Sequence, residues 1–153
     1  MPIRPHIERN DRSRLRLQQV IDELADDQLT GTTDGPWTIG VLLAHMAFWD
    51  RFVKERWEHA FRSQQPTPVL LDLSLADLVN DASVPGWSLI PPQGAARMAL
   101  AAADEVDGVI AALTNDAVEA LLAAGWNSLL DRSVHRHEHL DAIERQVSAP
   151  ASP

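Results

Sequence analysis

A chain of 153 residues is the size of one ordinary domain, and a hydrophobic content of 45%, with five Trp and three Phe, is enough to build a core. The formal net charge of −9, with no basic run longer than two residues, argues against a phosphate-binding groove and so against nucleic acid as a partner. The absence of Cys excludes disulfides, thiolate metal ligands and a protein thiol nucleophile, and it fits a reducing compartment.

Met1 to Asn10 lacks the apolar core of a secretory signal, and no uncharged stretch approaches the roughly 20 apolar residues of a membrane span. The expected setting is cytoplasmic, away from membranes. From about Ile7 to Ala25, Leu15, Leu17, Val20, Ile21 and Leu24 recur at helical spacing among charges and predict a first amphipathic helix. The Gly- and Thr-rich stretch Thr30 to Pro36 ends it. Thr38 is the expected N-cap of a second helix running without Gly or Pro from Val41 to about Ser63, long enough at about 35 Å to be a full bundle helix.

Gln64 to Pro92 holds five Pro, a Pro85-Gly86 turn signal and one short helical pattern, Ser74 to Asn80. A connection of this length covers something or crosses a bundle. An Ala-rich third helix is expected from Gln93 to Leu113, then a helical turn from Asp116 to Ala123 ending at Gly125. The fourth helix is expected from Trp126 to Val147. Residues 1–147 read as one domain and residues 148–153 as a frayed tail. Strand-like alternation is absent, so the fold class is all-α: a four-helix bundle with a long crossover connection.

His45 sits mid-stripe on the second helix, within about 60° of Val41, Leu42, Phe48, Trp49 and Phe52 at about 100° per residue. A buried imidazole needs a polar partner or a metal. The segment His135-Arg136-His137-Glu138-His139 places His135 and His139 four apart, on one helical face and able to share an ion. Solvent-facing histidines are the plain alternative. The apolar stripe of Trp126, Leu130, Val134 and Leu140 centres nearer to His137, so spacing leaves two pairs open: His135 with His139, or His137 with a partner such as Asp141. Asp50 and Glu138 lie beside these histidines in sequence and read as solvated carboxylates or as supporting and basic groups. His6 and His59 have no identifiable partner, and Trp87 either lines a pocket or pins its loop.

Two segments carry a family resemblance. The run from Trp37 to Asp50, Trp-Thr-Ile-Gly-Val-Leu-Leu-Ala-His-Met-Ala-Phe-Trp-Asp, resembles the second-helix segment of the DinB/YfiT-like family, in which a Trp precedes the helix and its His is the first metal ligand. The run from His135 to Ile143 resembles that family's closing segment, with two His four apart and an apolar residue four positions on; where many members carry Gln before that Ile, this chain has Ala142. The resemblance implies His45, His135 and His139 as ligands of a divalent metal, zinc or nickel first and iron or manganese next, leaving His137 an extra histidine. It also implies a metal-dependent enzyme that transfers a low-molecular-weight thiol to an electrophilic small molecule. The alternatives are a hydrolase using metal-bound water and a non-catalytic helical binding protein, and a homodimer is the implied assembly.

Overall fold

The computed structural model describes residues 4–149, which form six α-helices and no strand. The helices are α1 (Pro5–Glu23), α2 (Ile39–Arg62), α3 (Ala76–Trp87), α4 (Pro92–Ala111), α5 (Asn115–Ala124) and α6 (Ser133–Ser148). No helix among them is long and apolar enough to cross a membrane. Helices α1, α2, α4 and α6 close a ring in which α2 packs on α4, α4 on α1, α1 on α6 and α6 on α2, an all-α four-helix bundle. Of the expected tail, Ser148 closes α6, and residues 150–153 lie outside the described residues.

Local chemistry sets the helix ends. Pro5 and Pro92 open α1 and α4, where a missing N–H costs nothing. The Thr38 hydroxyl accepts the Val41 N–H at 3.1 Å, capping α2 as the sequence predicts. Gly125 ends α5 at φ +75°, a conformation that favours glycine. The small buried face of α4, Ala95, Ala96, Ala99, Ala102 and Ala103, lets α2 approach closely. Gly40 makes that approach possible at the start of α2, where an added Cβ would stand 3.2 Å from Pro92 Cβ and 3.3 Å from the Leu29 carbonyl.

Two elements differ from the sequence expectation. The crossover helix α3 does not stop at Asn80 but continues through Pro85-Gly86 to Trp87. Pro85 falls in the last turn, and burial of Trp87 against Trp37 and Phe48 holds the segment helical. The last helix begins at Ser133, not Trp126. Residues Asn127–Leu129 form a single 3-10 turn that buries Leu129 and Leu130, and Asn10 of α1 ties that turn down by donating to the Leu130 carbonyl at 2.8 Å.

The core consists of two apolar clusters with a charged layer between them. One cluster joins Leu17, Leu43, Met46, Ala99, Leu140 and Ile143; the other joins Val53, Trp57, Val106, Ile110, Leu121 and Leu129. Between them, on all four bundle helices, stands a buried network around Arg136, a residue with no exposed surface. Its guanidinium donates to Asp50 Oδ2 at 3.0 Å, to both Asp107 oxygens at 2.8 and 2.9 Å, and to Ser13 Oγ at 3.2 Å. Arg132 completes the layer by donating to Asp50 Oδ1 at 2.8 Å. Two buried guanidiniums thus face two buried carboxylates, with the partly exposed Arg14 also reaching Asp107 Oδ2 at 3.2 Å, and charge pairing with bidentate geometry is what makes such burial tolerable.

Candidate metal centre

His45 is carried by the buried face of α2, while His135 and His139 come from successive turns of α6. Their Nε2 atoms converge: His45 to His135 is 3.1 Å, His45 to His139 is 3.0 Å and His135 to His139 is 3.1 Å. Hydrogen bonds among three neutral rings cannot account for this triangle, because each Nε2 offers either one proton or one lone pair and cannot serve two neighbours in turn. Three nitrogens on one ion at about 2.0–2.1 Å stand about 2.8–3.4 Å apart for ligand angles between about 90° and 110°. The cluster meets that spacing, and a metal ion fits it.

The surroundings keep the rings neutral and fixed. Burial lowers the His45 pKa to about 3, with the neighbouring His139 next in weight, and burial likewise lowers His135 and His139. Neutral imidazole is the form that binds metal. The Trp37 and Trp87 rings pack on His45 at centroid distances of 5.0 and 5.5 Å. The His45 Nδ1 is buried and finds no hydrogen-bond partner among the described residues. Just before α6, Arg132 Nη2 lies 3.4 Å from His135 Nδ1, a long contact that places a cation beside the cluster and helps depress the His135 pKa.

The cluster opens on a cavity of about 370 Å³. Its walls are Trp49 and Phe52 of α2, Asn80 of α3 and Arg132 of α6's approach, with Glu138 exposed at the rim. Trp49 is held in place by its indole N–H donating to Asn80 Oδ1 at 2.8 Å. An open, mostly apolar cavity over three imidazoles suits a small ligand.

The remaining sequence candidates fall elsewhere. His137 is half-buried on the α1 side of α6, its Nδ1 2.8 Å from Arg16 Nη1, and does not reach the cluster. Asp141 pairs with Arg16 at 2.6 Å. Asp50 is not a solvated carboxylate: it is 2% exposed and committed to Arg132 and Arg136. Trp87 packs behind His45 and does not line the cavity. His6 is buried in the first turn of α1 and His59 is exposed. Sequence reasoning missed the Arg136 network and the cavity arginines Arg56 and Arg132. A signal existed for Arg136, since it shares a helical stripe with Leu140 and Ile143.

No curated protein and no solved structure gives a significant match to the chain. The sequence profile of the DinB superfamily matches residues 9–143, a span that runs from α1 to α6 and includes all three converging histidines. With that match over most of its length, an all-α bundle and a three-histidine cluster able to hold a metal, the chain belongs to the DinB superfamily.

Proposed function

We propose that the protein is a metal-dependent enzyme that transfers a low-molecular-weight thiol to an electrophilic small molecule, with His45, His135 and His139 as the metal ligands. The observation that carries the reading is the convergence of three neutral imidazoles on the floor of an open cavity. All the protein donors come from those three rings, so positions remain for exogenous ligands. Those three rings would hold a divalent ion, zinc or nickel first and iron or manganese next, which would supply Lewis acidity able to lower the pKa of a thiol. With no Cys in the chain, the thiol comes from outside.

The chain's own residues then orient and exclude. Trp49, fixed by Asn80, and Phe52 wall the cavity against water and stack against the electrophile. Arg132 fixes the approach to His135. In the transfer, the thiol sulfur bonds to an electrophilic carbon, the leaving group departs with its electron pair, and the thiol proton passes to Glu138 at the rim or to water. The same reading takes residues 1–147 as one functional domain acting as a homodimer, which light scattering tests.

The test of activity is turnover of an alkylating electrophile by zinc-loaded protein with and without a small thiol. Loss on thiol omission and on chelation supports the reading. Turnover undiminished without thiol reassigns the site to hydrolysis, in which water takes the place of the thiol. A chain that takes up no stoichiometric metal is instead a non-catalytic binding protein.

A further inference from the structure

His45, Trp49, Phe52 and Arg56 stand at successive intervals of four, three and four residues, which places them on one face of α2. All four line the cavity, so it is a trough along the helix with the histidines at one end and Arg56 about 16 Å of helix axis away at the other, less the reach of the side chains. Arg56 is half-buried, lies 5.8 Å from the Phe52 ring centre, and spends Nη2 on the Val69 carbonyl at 2.8 Å. Its Nε is buried and has no hydrogen-bond partner. No carboxylate pairs with Arg56 among the described residues. Burial lowers its pKa, and the charge that adds to this is another cation, Arg132.

The other charges along the trough do not change this balance. Arg132 is matched by Asp50, and the one acid on the cavity wall, Glu138, belongs to the helix turn between His135 and His139, at the histidine end. A half-buried guanidinium with no counter-charge, whose Nη1 makes no hydrogen bond among the described residues, is a costly arrangement that an anion in the cavity would relieve. The guanidinium fork matches a carboxylate in particular.

We propose that Arg56 is the carboxylate-binding residue of this cavity, holding the acid group of an elongated apolar ligand whose other end lies at His45, His135 and His139. The proposal deepens the thiol-transfer reading and rests on it for the identity of that ligand as electrophile or thiol. Trp49 stacks on the apolar middle, and the acid fixes the ligand's direction in the trough.

Binding can be read without turnover. Trp fluorescence titrations of the metal-free chain with hexanoate and hexanamide are expected to show a preference for the acid on the order of 10-fold. Arg56→Gln should bring the two probes level, and Arg56→Lys, which keeps the charge, should restore part of the preference. Equal binding of the two probes by the native chain, or an undiminished preference in Arg56→Gln, overturns the proposal. With zinc-loaded protein, an Arg56-dependent preference for 6-mercaptohexanoate over 6-mercaptohexanol places the acid on the thiol. Simultaneous binding of hexanoate and 2-mercaptoethanol, with only hexanoate sensitive to Arg56→Gln, places it on the electrophile. Zinc without effect on any thiol overturns the thiol-transfer reading and leaves the hexanoate preference, and with it this proposal, standing.

Discussion

Arg136 Nε donates to Asp50 Oδ2 across 3.0 Å, and this bond joins the turn of α6 that carries His135 to the turn of α2 that follows His45. The two helices that bring the histidines together are therefore fastened by a buried ion pair one residue from one ring and five from the other. Removing the cation leaves Asp50 and Asp107 buried with less compensation. Arg136→Met should cost about 3–5 kcal/mol, read as a lowered urea midpoint, because an uncompensated buried charge is worse than none. Zinc affinity should fall with it, since the helix-to-helix tie that registers the rings is gone.

Asp131 controls the start of α6. Its Oδ1 accepts the Ser133 N–H at 3.0 Å and its Oδ2 pairs with Arg9 at 2.7 Å. Burial raises its pKa, but the hydrogen bonds from Ser133 and Arg9 outweigh burial and hold the carboxyl below the usual range. A depressed folded value means that the stabilisation is complete above the unfolded pKa of about 3.9 and is lost as pH falls through the folded value. Asp131→Asn should cost about 1 kcal/mol at pH 7. In thermal melts at pH 2 the difference from the native chain should close.

Gly40→Ala tests the close approach of α2 to α4. Helix propensity alone favours Ala by about 1 kcal/mol. The new Cβ, however, would press on the Pro92 ring at 3.2 Å and on the Leu29 carbonyl at 3.3 Å, a rigid ring and a backbone atom. A net loss of about 1 kcal/mol in denaturant melts is expected, with α2 displaced at its N-terminal end, about one and a half turns from His45.

The bundle was legible because its helices bury apolar stripes at the 3.6-residue period and because Thr38 and Gly125 mark their ends. The start and the buried face of the last helix were not, and the reason is specific. Trp126 and Leu130 belong to the turn before α6, and Val134 is 70% exposed, so counting them on the helix drew its apparent core face toward His137. The true buried face is Ser133, Arg136, Leu140 and Ile143, and half of it is polar and invisible to hydropathy. Asp50 was misread for the same cause, since its burial depends on cations 82 and 86 residues away. The three-histidine set came from spacing joined to family resemblance, not from the wheel. Arg56 carried no sequence signal, because its lack of a partner appears only when the crossover and α6 are folded around it.

The ligand set supplies the sharpest test. His45, His135 and His139 are the only described residues whose donor atoms gather within range of one ion, while His137 faces Arg16 across the α1–α6 contact. Even supporting groups behind a ligand are worth about 10–100-fold in metal affinity, so loss of a ligand itself should exceed that. His45→Ala, His135→Ala and His139→Ala should each weaken zinc binding by more than about 100-fold in equilibrium dialysis. His137→Ala should bind zinc as the native chain does and lose a fraction of a kcal/mol with the Arg16 contact, on the order of an exposed polar pair. The outcome that reverses the assignment is equally definite: zinc lost in His137→Ala and kept in His135→Ala would mean that α6 is rotated toward the face with Asp141, and the cavity over the histidine triangle would then have no metal to serve.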